Sequence, residues 1–203
     1  MENVQQYIGN YIKRYKRGDI IAPTDFRGKA NDSAIRKALS RLTIDGTLVR
    51  LGQGLYILPK RDSLFGTLLP STEEIAFAIA EKEKVKIRPS GASALHKLGL
   101  TLQVPTKLVY YTDGSPRNIK VGNNLIRFKK STPRKMALKG ELSGLIILAL
   151  EDLDTDQLDE GTTSKLKNLL KKENPAHLKN DLKLASVSVY NFLLSILKDD
   201  SMA

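Results

Sequence analysis

Residues 31–59, NDSAIRKALSRLTIDGTLVRLGQGLYILP, set an apolar helical period directly against a short glycine-centred hairpin. The period must change from 3.6 to 2 within a few residues, which narrows the folds open to this chain. Ile35, Ala38, Leu39 and Leu42 make the apolar side of a helix that ends at Asp45-Gly46, with Asp32 or Ser33 as its expected cap. Thr47-Leu48-Val49-Arg50 and Leu55-Tyr56-Ile57-Leu58 then alternate as strands, and Gly52-Gln53-Gly54 supplies the turn.

Upstream, Val4, Tyr7, Ile8, Tyr11, Ile12 and Tyr15 recur at helical spacing, which predicts an amphipathic helix ending near Gly18. A short second helix is expected from Ala22-Pro23-Thr24-Asp25-Phe26, with Thr24 as its cap. Three helices followed by a hairpin form the winged helix-turn-helix pattern, expected over residues 1–62. Opposite the apolar side of the third helix, Ser33, Arg36, Lys37, Ser40 and Arg41 fall at i, i+3, i+4, i+7 and i+8. Such a face suits the DNA major groove, where Arg and Lys grip phosphates or guanine edges. Arg50 at the hairpin base, Gln53 at its tip and Lys60 just beyond complete the candidate DNA-binding set. The plainer alternative is a solvated helix face beside an ordinary hairpin.

Charge bears on that choice. The chain has 203 residues and a net charge of +11. By segment it is +6 over residues 1–62 (12 Lys and Arg, 6 Asp and Glu), +8 over 63–150 (14 and 6) and −3 over 151–203 (7 and 10). A basic body with an acidic end favours a polyanionic partner, most simply nucleic acid. The absence of cysteine excludes disulfides and thiolate metal sites and fits a reducing cytosol. The first residues carry no signal-peptide apolar block, and the longest apolar run, GLIILAL at residues 144–150, is far below the ~20 residues of a membrane span. The expectation is a cytoplasmic protein with no membrane partner.

Residues 63–203 read as a mixed segment, so the fold class expected for the whole is α+β. Residues 59–62 are read as the exit from the first module and 64–70 as a connection. Ser71-Thr72-Glu73-Glu74 opens a helix with a capping box and apolar positions Ile75, Ala76, Ile79 and Ala80. Val85-Lys86-Ile87-Arg88 alternates as a strand, and a helix with Ala94, Leu95 and Leu98 follows Gly91. Strand-like runs at 107–112, 117–121 and 125–129 suggest an antiparallel meander. From Glu141 onward the pattern is helical, closing on a stripe of Val187, Tyr190, Leu193, Leu194 and Leu197.

Signs of catalysis are weak. His96 lies beside Leu95 and Leu98 on a helix, and its pairing with Ser93 lacks an acid partner and a nucleophile elbow. His177 sits in a charged stretch. Asp152, Asp154 and Asp156 resemble the start of a calcium loop, but Gln157 and Thr163 stand where glycine and glutamate are required, so an acidic linker is the better reading. No Walker A or dinucleotide fingerprint occurs, and residues 116–140 contain no carboxylate to follow Gly114-Ser115. The expectation is no enzyme, no cofactor and no metal.

Residues 88–134, RPSGASALHKLGLTLQVPTKLVYYTDGSPRNIKVGNNLIRFKKSTPR, resemble the C-terminal domain of AbiE-type (type IV) antitoxins. The matching features are Pro89-Ser90-Gly91, Ala94-Leu95, Leu98-Gly99-Leu100, Gln103-Val104-Pro105, Tyr111-Thr112-Asp113-Gly114 and Arg117, then 126–128 and Pro133-Arg134. The resemblance spans roughly residues 3–150 and includes an N-terminal winged helix; the helical tail, 151–203, matches only generally. It implies an autorepressor that binds inverted repeats in its own operator and counteracts a separate nucleotidyltransferase-like toxin. Arg88, Tyr111, Arg117, Arg127 and Lys129 are the candidate antitoxin surface, within a basic stretch of residues 84–135. Two alternatives stay open: a stand-alone transcriptional regulator, and an accessory factor that binds RNA through residues 84–139.

Overall fold

The computed structural model describes residues 4–103, 105–153 and 158–198. It is α+β with antiparallel strand pairing, and it divides into two compact units: Met1–Lys84 with Ile119–Leu125, and Val85–Asn118 with Ile126–Ala203. Compactness thus puts the break after Lys84, with the helix following Ser71 on the N-terminal side.

In the first unit, helix α1 (Val4–Ile12) buries Ile8 and Ile12. It stops short of Tyr15, because the Lys16 amide donates to the Asp19 carboxylate at 2.8 Å and Gly18 turns the chain at φ +100°. Strand β1 (Ile20–Ile21) follows, both residues buried. The expected second helix is a single 3-10 turn, Pro23–Phe26, and Thr24 lies inside it instead of capping it. The Ala22 amide donates to the Asp25 carboxylate at 2.9 Å, which holds the turn while Phe26 enters the core. Helix α2 (Asp32–Ile44) buries Ile35, Ala38, Leu39 and Leu42 as its spacing predicts. Its cap is Asn31, whose side chain accepts from the Ala34 amide at 2.8 Å, so Asp32 and Ser33 are already helical.

Strands β2 (Val49–Gly52) and β3 (Leu55–Ile57) form the hairpin, and β1 pairs antiparallel on the far side of β3, giving the order β1-β3-β2. Register runs Val49↔Ile57 and Arg50↔Tyr56, then slips at a bulge before Gly52. Within the exit and connection expected at residues 59–62 and 64–70, the chain instead forms a two-stranded antiparallel ribbon, β4 (Lys60–Asp62) and β5 (Gly66–Leu68). The Asp62 carboxylate accepts from the Leu64 and Phe65 amides and closes its turn, leaving both side chains in solvent. Helix α3 (Thr72–Glu83) has the predicted capping box: the Ser71 amide donates to Glu74 at 2.7 Å and the Glu74 amide to the Ser71 hydroxyl at 3.2 Å. Lys82, near its end, pairs with Asp25 and donates to the Ile20 carbonyl.

The second unit starts with β6 (Ile87–Pro89) and helix α4 (Ala92–Lys97), followed by β7 (Lys107–Thr112); β8 (Arg117–Val121) begins in it and β9 (Asn124–Lys130) ends in it, while Ile119–Leu125 belongs to the first unit. The sheet order is β6-β7-β9-β8, which corrects the expected meander: β9, not β8, lies beside β7. The Ser131 amide donates to the Thr112 carbonyl at 2.8 Å, seating the end of β9 against β7 and leaving β8 at the edge. Among the described residues, helices α5 (Pro133–Met136), α6 (Glu141–Leu150), α7 (Glu160–Leu170), α8 (Pro175–Leu182) and α9 (Val187–Lys198) follow. The apolar run at 144–150 lies in α6, at the centre of a core shared with Ala94, Leu98, Tyr111, Leu166, Leu170 and Leu193. On α9 the buried stripe is Val189, Leu193 and Ile196; Val187 and Tyr190 face solvent, so the stripe is rotated from the expected one. Of the acidic run, Asp154, Asp156 and Gln157 lie outside the described residues, as does Val104. Among the described residues no helix is long and apolar enough to cross a membrane.

Candidate nucleic-acid interface

Helix α2 separates its residues cleanly. Ser33, Arg36, Lys37, Ser40 and Arg41 are all exposed, while Ile35 and Leu39 opposite are fully buried. Burial of that apolar side against α1 fixes the rotation of the helix and so the direction of its basic side. The hairpin rises beside it. Between them lies a groove of 490 Å³, lined by Pro23, Arg36, Ser40, Thr43, Ile44, Arg50, Gln53, Gly54 and Tyr56. Arg36 and Ser40 from the helix therefore meet Arg50 and Gln53 from the hairpin in one concavity.

The other predicted DNA contacts lie outside it. Arg41 donates to the Gln5 side chain on α1 at 3.4 Å. Ser33 and Lys37 occupy the outer part of the helix face. Lys60 sits on β4, its stem packed close to Gly18. Arg50 folds back so that its Nε donates to the Gly52 carbonyl at 3.3 Å, which places the guanidinium along the hairpin. Sequence reasoning missed Thr43, Ile44 and Tyr56 in the groove wall. Ile44 is 84% exposed, and its signal was legible as an apolar residue off the buried stripe at the end of α2. An exposed aliphatic group of that kind suits a thymine methyl.

The second candidate set does not form one surface. Arg88 is half-buried and donates to the Leu138 carbonyl. Burial holds its pKa below the usual arginine range, with the charge of Asp181 acting in the opposite direction. Tyr111 is buried; its hydroxyl donates to Asp152 at 3.2 Å and accepts from Lys135 at 2.9 Å. The Lys135 ammonium lies 4.1 Å from that ring's centroid and pairs with Glu151 at 2.7 Å. Burial raises the Tyr111 pKa, a hydrogen bond from Lys135 opposes the rise, and the charge of Asp152 adds to it. Tyr111 is thus held inside the unit instead of on a surface, while half-buried Arg88 braces the Leu138 carbonyl. Arg117 lies over the Phe128 ring at 5.1 Å and donates to the Ser115 carbonyl at 3.4 Å. Arg127 is exposed and Lys129 is partly so.

Asp181, on α8, is completely buried. Its carboxylate accepts from the Lys139 and Gly140 amides at 2.8 and 2.7 Å, the Ser143 hydroxyl at 2.7 Å and the Asn180 amide at 3.0 Å. Glu173 accepts from the Leu142 and Ser143 amides at 2.8 and 2.9 Å, so two carboxylates satisfy the start of α6. Both pKa values are lowered: burial pushes each up, and the hydrogen bonds outweigh it. His96 and His177 are exposed, and among the described residues no group of three His, Cys, Asp or Glu is placed to hold a metal ion.

The chain matches Family of unknown function (DUF6088) over residues 7–178. No curated protein matches it.

Proposed function

The chain belongs to that family, and we propose that it binds double-stranded DNA, with α2 in the major groove and the β2–β3 turn on the adjacent backbone. The observation that carries this reading is the groove in which Arg36, Ser40, Arg50 and Gln53 converge. Guanidinium and amide groups there offer bidentate pairing to base edges and phosphates, and the net charge of +11 supplies the long-range attraction. The element order α1, β1, 3-10 turn, α2, β2, β3, with sheet order β1-β3-β2, supports a winged helix-turn-helix whose second helix is reduced to one turn.

The resemblance to AbiE-type antitoxins supports the fuller reading: a cytoplasmic autorepressor that binds inverted repeats in its own operator and counteracts a nucleotidyltransferase-like toxin. With Tyr111 buried and half-buried Arg88 engaged on the Leu138 carbonyl, the candidates left for contact with such a toxin are exposed Arg127 and partly exposed Lys129 and Arg117.

The test is titration of the chain's own promoter region and of a scrambled duplex with the parent protein and an Arg36→Ala/Lys37→Ala/Arg41→Ala variant. The parent is expected to prefer the promoter and the variant to lose that preference. A folded variant that binds as the parent does would sink the DNA reading. Co-expression with an adjacent nucleotidyltransferase-like gene tests the antitoxin role separately, and failure of the abundant parent protein to restore growth overturns it.

A further inference from the structure

We propose that the turn between β8 and β9 is a second wing, which sets Lys120 on DNA phosphates next to those approached by the β2–β3 turn. The inference rests on the DNA-binding reading above. Residues Ile119–Leu125 belong to the same compact unit as α1, α2 and the hairpin. Within that unit, a Cβ added to Gly52 would collide with the Lys120 carbonyl. Gly52 is absent from the positive-φ glycines, whereas Gly54 turns the hairpin at φ +69°. Gly52 is therefore glycine for space: its missing side chain lets the Lys120 backbone lie directly on the bulged end of β2.

The rest of the turn is held just as closely. The Asn124 side-chain amide donates to the Thr72 hydroxyl at 2.8 Å, at the start of α3. Val121 is buried, and Gly122 makes the tight reversal at φ +56°. What remains outward is Lys120, Gly122 and Asn123. Strand alternation puts Lys120 opposite the buried Val121, and among the described residues no carboxylate pairs with it. An ammonium on a flexible stem, with no carboxylate partner among the described residues and with its backbone against Gly52, suits a phosphate and carries no base-reading geometry.

The full-length protein with Lys120→Ala, Lys120→Arg or Arg36→Ala is titrated by fluorescence anisotropy against the promoter and a scrambled duplex across a salt series. Loss of Lys120 is expected to weaken both duplexes by the same factor, roughly threefold to tenfold, and to reduce the slope of log K against log salt by about 0.9. Lys120→Arg is expected to restore affinity and slope, which separates lost charge from misfolding. If Arg36→Ala impairs binding while Lys120→Ala matches the parent in affinity and slope, the second wing is wrong and the main reading stands. If Lys120→Ala selectively erases preference for the promoter, Lys120 is not a phosphate contact and the proposal also fails. If no variant changes binding, the DNA-binding reading itself falls.

Discussion

Arg36 and Arg88 are the same residue type on the same basic chain, yet the structure uses them in opposite ways. Arg36 stands exposed at the wall of the α2 groove, on a helix whose position is fixed by apolar burial on its other side. Arg88 turns inward, donates to a carbonyl fifty positions away and lies in the field of the buried Asp181. Gly144 makes that approach feasible: a side chain there would meet Arg88 Nη1 at 3.3 Å and Asp181 Oδ2 at 3.6 Å. The contrast lies in the acceptors that other elements bring: Arg88 meets the Leu138 carbonyl and the charge of Asp181, whereas on α2 Arg41 meets the Gln5 side chain and stays exposed.

The largest test of that contrast is Asp181. Its replacement by alanine leaves the Lys139 and Gly140 amides and the Ser143 hydroxyl without their acceptor in a buried setting. The expected loss is about 3–5 kcal/mol of stability in the second unit. Chemical denaturation with probes in each unit checks it, and a loss near zero would show that the network is incidental. The same group sets a pH dependence. Because its folded pKa is depressed, as is that of Glu173, their stabilisation is present above the unfolded carboxylate pKa of about 4 and disappears as pH falls through the folded values. Melting temperature is expected to drop as pH falls below the unfolded carboxylate pKa of about 4, less steeply for Asp181→Asn.

Arg88→Ala comes next. A charged donor to a part-buried carbonyl contributes about 1.5–3 kcal/mol, so the variant should unfold at lower denaturant with DNA affinity per folded molecule unchanged. Arg36→Ala is expected to do the reverse. It should cost about 1–3 kcal/mol in promoter affinity and shift stability by no more than about 0.5 kcal/mol. Should Arg88→Ala weaken DNA binding without destabilising, or Arg36→Ala destabilise, the division between brace and surface fails.

Much of the first unit was legible because its signals are local. The stripe of Ile35, Ala38, Leu39 and Leu42, the Gly52-Gln53-Gly54 turn and the Ser71–Glu74 capping box each depend on residues a few positions apart. Strands β7 and β8 were also bounded correctly by alternation and turn residues. Strand β1 was not, because Ile20 and Ile21 are too few to display a period and are extended only by pairing with β3. The β4–β5 ribbon escaped notice for a related reason: its residues are mostly exposed, so no apolar alternation marks it. Sheet order escaped too, since nothing local to β8 or β9 says which of them will pair with β7. The burial of Arg88 and Tyr111 was hidden in the same way, because their partners Leu138, Asp152 and Lys135 arrive from distant parts of the chain. The close approach of Lys120 to Gly52 has no sequence signal apart from the glycine itself, which reads equally well as a turn residue.

The smallest expected effect gives the sharpest control. Arg127 lies on β9, in the same sheet as Arg88, and was grouped with it as a candidate surface residue. Its neighbours Ile126 and Phe128 are buried, so strand alternation turns Arg127 outward. An exposed arginine of this kind contributes little, because solvent screens its charge and its mobile side chain gives up entropy on ordering. Arg127→Ala is therefore expected to change stability by less than about 0.5 kcal/mol, against the 1.5–3 expected for Arg88→Ala. If it nevertheless abolishes growth rescue in co-expression, Arg127 is doing work on a partner that folding does not require of it. If Arg127→Ala destabilises as much as Arg88→Ala, then exposure in this sheet does not separate surface from brace, and the distinction between the two arginines has to be withdrawn.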